Sequence, residues 1–332
     1  MSTVIETQSD IVPRLEAAAE RVQKAHKAAA GVIFGQDQVI ERTLITILAG
    51  GHALLIGVPG LAKTLLVDTL GKVLGLDAKR IQFTPDLMPS DIIGSEVLED
   101  EPGRARSFRF IKGPIFTQLL MADEINRASP KTQSALLQAM QEHHVTVAGQ
   151  RHDTPAPFHV LATQNPLEQE GTYPLPEAQL DRFLLQIDVN YPDLAAERRM
   201  LYSTTGTDSA KLETILSAPE LMSIQRLVRQ IPVSDKVVEA ILKLVRSARP
   251  GTGASTESDK FVAWGPGPRA SQALMLAVRA KALIDGRLAP SVDDVMHLAE
   301  PILKHRMALS FAARAEGQEL SQIIARLAEA VE

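Results

Sequence analysis

Hydrophobic residues form short continuous runs along roughly the first 190 residues of the chain. Such runs are typical of parallel strands that are buried on both faces. Segments with helical periodicity, among them 64–74 and 130–142, separate most of the runs. Strands that alternate with helices predict a parallel sheet with helices on both of its faces. The predicted strands are 53–56, 80–83, 119–122, 158–163 and 183–189.

Two segments interrupt this alternation and are predicted to be hairpins. The first, 93–111, turns at Glu101-Pro102-Gly103, and the second, 145–151, turns at Ala148-Gly149. After residue 191 the strand pattern fades, and residues 218–331 have mostly helical periodicity. We therefore predict an α/β domain over residues 1–195, followed by a smaller all-α domain over residues 196–332.

The composition is that of an ordinary globular protein, with 45% hydrophobic and 23% charged residues among 332. The net charge of −5 argues against a general nucleic-acid-binding surface. Because the chain contains no cysteine, disulfides and thiolate chemistry are excluded. No apolar stretch is suited to cross a membrane and no secretory signal begins the chain, so we expect a cytoplasmic protein.

A candidate phosphate-binding loop, 57–64 (GVPGLAKT), lies between the first predicted strand and the helix that follows it. Backbone N–H groups at a helix N-terminus bind phosphate oxygens, a lysine reaches the β- and γ-phosphates, and the next hydroxyl holds Mg²⁺. Ala62 stands where the usual pattern has glycine, and we interpret it as a tolerated variant, because a residue that enters the helix can be alanine. The predicted nucleotide contacts of this segment are Gly57, Pro59, Gly60, Leu61, Ala62, Lys63, Thr64 and Leu65.

Two carboxylates follow the apolar run 119–122, where a nucleotide-hydrolysing site requires them. Asp123 is predicted to hold Mg²⁺ together with Thr64, and Glu124 is predicted to polarise the attacking water. The chain has no Asn-Lys-x-Asp motif for guanine, which favours ATP over GTP.

An ordered series of motifs resembles the MoxR family of AAA+ ATPases, which are P-loop NTPases. The second motif of that family resembles 122–128 (ADEINRA), and its first sensor resembles 163–166 (TQNP). A family signature is close to 171–183 (GTYPLPEAQLDRF), and the second sensor resembles 265–270 (GPGPRA). The resemblance implies the AAA+ fold, in which helices sandwich a parallel sheet and a smaller helical lid follows.

The resemblance also implies roles for individual residues. Asn165 would hydrogen-bond the water or the γ-phosphate, and Arg182 would act in trans as the arginine finger on a neighbouring subunit's nucleotide. Arg269 would touch the nucleotide of its own subunit. Gln36 lies in 33–36 (IFGQ), a segment that would enclose adenine or simply pack at a helix junction. Arg127 would face a subunit boundary or form a structural ion pair.

The family resemblance implies an ATP- and Mg²⁺-dependent chaperone that forms a homo-oligomeric ring, with a hexamer expected. It also implies a partner with a von Willebrand factor A domain and clients that the ring matures, often by metal or cofactor insertion. The two hairpins would contact a client, with Arg104, Arg106 and Arg109 at that contact or on a solvated face. One alternative is the motor subunit of a metal chelatase. A nucleic-acid motor is less favoured because of the net charge of −5. A scaffold that binds ATP without hydrolysing it is disfavoured, because Asp123 and Glu124 are both present.

Overall fold

The computed structural model describes residues 11–99, 106–168, 170–205 and 212–331. Its helices are α1 (Ile11–Ala30), α2 (Asp37–Leu48), α3 (Lys63–Val73), α4 (Pro89–Ile93), α5 (Pro130–Glu142), α6 (Glu177–Leu180), α7 (Leu194–Thr205), α8 (Ala218–Gln230), α9 (Asp235–Ser247), α10 (Thr256–Phe261), α11 (Pro268–Ile284), α12 (Val292–Leu303), α13 (Phe311–Ala315) and α14 (Leu320–Glu329). Short 3-10 turns are formed by Ile125–Arg127 and Lys304–Arg306.

The strands are β1 (Ala53–Ile56), β2 (Ala78–Gln82), β3 (Gly94–Glu99), β4 (Ser107–Lys112), β5 (Leu119–Asp123), β6 (His144–Val147), β7 (Gln150–Asp153), β8 (His159–Gln164), β9 (Leu185–Asp188), β10 (Val262–Trp264) and β11 (Ala308–Leu309). Five of them form one sheet in the order β2-β5-β8-β1-β9, and every pairing within it is parallel. The predicted parallel sheet is therefore confirmed, although β2 begins two residues earlier than predicted and β9 begins two residues later.

Alternate residues of each central strand contribute to two separate hydrophobic cores. Leu55 and Met121 point into the core beneath the N-terminal helices, whereas Leu54 and Leu120 point into the core formed with α5. Successive side chains of a strand project to opposite faces, so a sheet covered by helices on both sides needs continuous apolar runs. The apolar runs in the sequence have this physical origin.

The C-terminal part is mainly helical and shares the first core with α1, α2 and α3. In α9, for example, Val237, Ile241 and Leu244 recur at helical spacing and are all buried. The part is not purely helical, because β10 pairs antiparallel with β11. These strands have only three and two residues, too few to show an alternating pattern in the sequence. The boundary at residues 195 and 196 remains a prediction, and α7 runs across it.

Both predicted hairpins are present in the structure. β3 pairs antiparallel with β4, and β6 pairs antiparallel with β7 through a turn in which Ala148 and Gly149 have positive φ. The predicted turn of the first hairpin and Arg104 lie outside the described residues. The hairpins touch each other where the ring of Phe110 stacks on that of His152, with 3.9 Å between the centroids. Among the described helices, none is long and apolar enough to cross a membrane.

Candidate nucleotide-binding and hydrolysis site

The sheet topology brings three chain segments together at the carboxyl ends of β1, β5 and β8. β1 lies between β8 and β9, and the backbone N–H of Gly57, just after β1, donates to the carbonyl of Gln164 at 3.2 Å. Open parallel sheets bind ligands at this carboxyl edge. The loop after β1, the two carboxylates after β5 and Asn165 after β8 all meet there, as the motif order predicts.

The loop between β1 and α3 depends on residues that tolerate unusual backbone geometry. A Cβ atom on Gly57 would lie 2.6 Å from the carbonyl oxygen of Val189, so only glycine fits. Gly60 has φ +85° and Ala62 has φ +56°, both in the left-handed region. Ala62 is therefore accommodated only in the left-handed backbone conformation. It caps α3 in a conformation that costs an L-residue about 1–2 kcal/mol, which explains the usual glycine.

Lys63 is the first residue of α3, and its ammonium donates to the carbonyl oxygen of Gly57 at 2.5 Å. Its pKa is lowered by burial, and the negative charges of Asp123 and Glu124 partly oppose that shift. The loop carbonyl thus holds the ammonium beside the first N–H groups of α3, which lack intrahelical partners. A phosphate placed there would meet a cation and free backbone donors together.

A cavity of about 400 Å³ contains most of the predicted phosphate and metal residues. Thr64 and Asp123 both line it, as do Lys63 and Glu124. A hydroxyl and a carboxylate are hard oxygen ligands of the kind Mg²⁺ prefers, and Mg²⁺ usually completes its shell with phosphate oxygens and water. The side chains therefore suit a magnesium–nucleotide complex, with Thr64 and Asp123 as its protein partners.

Both carboxylates are held by residues that the sequence analysis did not identify. The hydroxyl of Thr163 donates to Asp123 Oδ1 at 2.5 Å, and Arg80 donates to Asp123 Oδ2 through Nη2 at 2.5 Å and Nε at 3.1 Å. Glu124 has φ +54°, and its Oε2 accepts from Gln82 at 2.8 Å. Arg80 and Gln82 are on β2, whose position beside β5 is not evident from the sequence.

Arg127 is an ion-pair residue in this structure. Its Nη1 lies 3.3 Å from Oε2 of Glu124 and 3.7 Å from Oε2 of Glu168. It thus holds the carboxylate predicted to polarise water, together with Gln82. A role of Arg127 at a subunit boundary remains a prediction.

A neighbouring cavity of about 250 Å³ is mainly apolar and fits the predicted adenine position. Gln36 is buried and its amide donates to the carbonyl of Asn190 at 2.8 Å, which fixes the side chain at the cavity wall. Leu65 lines the same cavity, as do Tyr191 and Met200, which the sequence analysis did not identify. The lining residues are Val32, Ile33, Phe34, Gln36, Pro59, Gly60, Leu61, Ala62, Leu65, Tyr191, Pro192, Glu197 and Met200.

Asn165 is buried directly after β8, and its Oδ1 accepts from the backbone N–H of Leu167 at 3.1 Å. β8 pairs with β1 in a register that sets Gln164 beside Ile56, so Asn165 follows the strand that adjoins the phosphate loop. The side-chain position is consistent with a contact to the γ-phosphate or to water, and that role remains a prediction.

Arg182 and Arg269 lie near the amino ends of the strands, whereas the phosphate loop lies at their carboxyl ends. Arg182 precedes β9, whose first residue pairs with the first residue of β1, whereas the phosphate loop follows the last residue of β1. Four strand residues at about 3.3 Å each separate the two edges by about 13 Å. Arg182 donates to the carbonyl of Leu137, and Arg269 lies 3.7 Å from Asp181.

A cavity of about 280 Å³ is lined by both arginines and shares none of its lining residues with the two nucleotide cavities. Arg269 therefore does not line the cavity beside its own phosphate loop, and its contact with the nucleotide remains a prediction. Arg269 lies in the first turn of α11, a helix that packs in the first core, and its exposed side chain lies beside Asp181. Arg182 is placed where it cannot reach its own phosphate loop, as a trans-acting residue requires.

Comparison with known proteins identifies the family. The model of the ATPase family associated with various cellular activities (AAA) matches residues 52–185, and that of the AAA lid domain matches residues 254–327. The chaperone MoxR1 of Mycobacterium tuberculosis is 42% identical over 301 residues, covering 90% of this chain and 79% of MoxR1. The chain belongs to the MoxR family of AAA+ ATPases.

Other MoxR-family relatives and a solved structure agree with this assignment. The Paracoccus denitrificans protein MoxR is 31% identical over 307 residues, covering 87% of this chain and 89% of that protein. A crystal structure from Cytophaga hutchinsonii, described as a candidate ATPase, has a TM-score of 0.88 and 38% sequence identity, with 96% of each chain covered. The AAA+ fold with its lid, predicted from the motif series, is thereby confirmed.

Proposed function

We propose that this MoxR-family protein is a cytoplasmic, ring-forming chaperone that hydrolyses ATP with Mg²⁺ to change the conformation of client proteins. The separation of Arg182 from the phosphate loop carries this proposal. One edge of the sheet holds Lys63, Asp123 and Glu124, and the opposite edge holds Arg182. In a closed ring, the amino-terminal edge of one subunit can face the carboxyl edge of the next and complete its site.

Each site residue has a physical role in this proposal. Lys63 and the N-terminus of α3 bind the phosphates, while Thr64 and Asp123 hold Mg²⁺. Glu124 orients the attacking water, with Asn165 close to the γ-phosphate. Arg182 of a neighbouring subunit adds positive charge where the transition state develops negative charge.

The two hairpins are the proposed client contacts. Phe108 on β4 is 70% exposed and Leu98 on β3 is 47% exposed, an apolar surface that suits unfolded or partly folded protein segments. Arg109 is paired with Glu99 at 2.9 Å, so its charge is already compensated within the hairpin. The family resemblance supports a partner with a von Willebrand factor A domain and a hexameric ring that acts in metal or cofactor insertion.

The test is ATP turnover per protomer as a function of protein concentration. The wild-type rate should rise as rings form, and Arg182→Ala should remove that rise while leaving nucleotide binding intact. Arg326→Ala, which removes an exposed arginine on α14, is the matched control and should behave like the wild type.

Mixed rings sharpen this test. Subunits with Arg182→Ala keep an intact hydrolysis site, and subunits with Glu124→Gln keep the arginine finger. A mixed ring can therefore combine the two, and mixing the inactive variants should restore part of the turnover. A mixture that stays as inactive as its components, although both variants assemble, would refute the action in trans.

A further inference from the structure

Arg80 makes two hydrogen bonds with Asp123, and neither the motifs nor the family resemblance assigned it a role. The guanidinium donates twice to Oδ2, while Oδ1 accepts from Thr163. Both oxygens of the magnesium carboxylate are therefore already bound within the chain. The Arg80 side chain is 49% exposed and that of Asp123 is 12% exposed, so the arginine is the solvent-facing partner.

The contact follows from the register of β2 against β5. Gln82 pairs with Asp123, and Arg80 pairs with Met121 two residues before it. Residues two apart on a strand share one face, so Arg80 and Gln82 both project toward the carboxylates. All four side chains, those of Arg80, Gln82, Asp123 and Glu124, line the cavity that contains Lys63 and Thr64.

We propose that Arg80 competes with Mg²⁺ for Asp123: it neutralises this carboxylate while the site lacks metal, and a metal ion that binds Oδ2 has to displace it. This inference rests on the proposed ATP site. A guanidinium and a divalent cation compete for Oδ2, because Arg80 donates two hydrogen bonds to that oxygen, whereas Oδ1 accepts one from Thr163. Thr163 is itself fixed, since its hydroxyl also accepts the backbone N–H of Glu124 at 2.9 Å.

The displacement has a second consequence within the same network. Nη2 of Arg80 also donates to Oε1 of Gln82 at 2.7 Å, and Gln82 in turn donates to Glu124. When Arg80 leaves Asp123, Gln82 loses the donor that fixes its amide orientation. Metal binding at Asp123 thereby also changes the hydrogen bonding of Glu124, and Arg80 weakens metal binding as long as it holds Asp123.

The experiment measures binding of a fluorescent, non-hydrolysable ATP analogue to the full chain while Mg²⁺ is varied, with EDTA as the metal-free point. Arg80→Gln should lower the half-saturating Mg²⁺ concentration by about three- to tenfold, the range expected for loss of a partly exposed charged contact. Metal-free binding should stay within about twofold of the wild type. Arg80→Lys, which keeps the charge but loses the forked donors, should give a smaller shift.

Lys79→Gln is the matched control, because it removes one positive charge from the same strand. Lys79 donates to the carbonyl of Phe116 and does not line the cavity. The Mg²⁺ dependence of analogue binding should therefore be the same in Lys79→Gln as in the wild type. Thermal unfolding of each variant establishes that the comparison concerns folded protein.

Three results would overturn the inference. The first is an unchanged Mg²⁺ midpoint in Arg80→Gln. If Lys63→Ala nevertheless loses nucleotide binding, this result would refute the competition between Arg80 and Mg²⁺ but not the proposed ATP site. Weaker metal-free binding with an unchanged Mg²⁺ midpoint would make Arg80 a phosphate ligand instead. Failure of the wild type to bind the analogue at any Mg²⁺ concentration would remove the proposed function and this inference with it.

Discussion

Acidification from pH 7 to pH 5 should destabilise the fold by about 4 kcal/mol through two buried histidines. His52 precedes β1, and its Nδ1 accepts the backbone N–H of Val160 at 2.9 Å, so Nε2 carries the proton and donates to the carbonyl of Met140 at 3.1 Å. His159 begins β8, and its Nδ1 donates to the carbonyl of Gly51 at 2.8 Å. Both rings are held as neutral tautomers by these partners.

The magnitude follows from the pKa shifts. Burial is the largest cause in both cases, and it lowers the pKa of His52 to about 3 and that of His159 to about 4. The neutral ring is the form that the fold favours, so the stabilisation is complete above the unfolded pKa of 6.5 and is lost as the pH falls from 6.5 toward those values. pH 5 is about 1.5 units below the pKa of an unfolded histidine. Protonation therefore stabilises the unfolded state, and lowers the free energy of unfolding, by about 2 kcal/mol per histidine.

The loss is large relative to the usual stability of about 5–15 kcal/mol. His305 acts with the same sign, because burial also lowers its pKa well below the ordinary value, so about 4 kcal/mol is a lower limit for the loss. Carboxylates contribute little in this window, since their unfolded pKa values lie near 4. Glu41, whose pKa is lowered to about 2 mainly by its hydrogen bond with His297, affects stability only at lower pH.

The assay is urea unfolding followed by circular dichroism at pH 7, 6 and 5. With an m-value of about 3 kcal/mol per molar, a loss of 4 kcal/mol lowers the urea midpoint by about 1.3 M. His159→Asn keeps an amide donor for Gly51 and removes one titrating group, so its pH dependence should be smaller by about 2 kcal/mol. His26→Asn on the partly exposed side of α1 is the control and should retain the full dependence.

The reasoning would be refuted by a wild-type free energy of unfolding that changes by less than about 1 kcal/mol between pH 7 and pH 5. It would fail equally if His159→Asn and the wild type had the same pH dependence. Either result would mean that protons reach these rings without disturbing the fold.

Two further predictions concern the phosphate loop and the water-orienting carboxylate. Ala62→Gly removes a left-handed alanine and should raise the free energy of unfolding by about 1 kcal/mol, which thermal unfolding can measure; an unchanged or lower melting temperature would contradict the strain at this position. Glu124→Gln keeps the size of the side chain but loses the charge that orients water, so turnover should fall by at least about 100-fold while nucleotide affinity changes little. Turnover near the wild-type rate would exclude Glu124 from that role.

Much of the geometry of the candidate site could be predicted because its residues are adjacent in the sequence. The phosphate loop, with Lys63 and Thr64, follows a strand that the apolar pattern identifies, and Asp123 and Glu124 follow another. Local spacing carries this information, since a loop between a strand and a helix N-terminus has few possible geometries. The conformation of Ala62 could not be predicted, because the sequence pattern does not give φ at a helix N-terminus.

The contacts that hold the carboxylates depend on strand order, which the sequence does not encode locally. β5 lies between β2 and β8 in the sheet, so Arg80 meets Asp123 only because of that arrangement. A basic residue on a short strand otherwise suggests a solvated edge. The same limit applies to Arg269, because its place beside Asp181 depends on how α11 packs against the rest of the chain.

The attachment of the helical part to the sheet restricts how the two can move relative to each other. Arg306, which is 2% exposed, donates to the side chain of Asp181 at 2.7 Å and to the backbone carbonyls of Phe183 and Leu184 at 2.6 and 3.2 Å. Withdrawing it would leave a buried guanidinium without its partners, at a cost of about 3–5 kcal/mol. A rigid shift of the 3-10 turn that contains Arg306 must therefore carry residues 181–184 with it, and Arg182 lies within that segment. The geometry of the proposed trans contact is thus tied to the position of the helical lid.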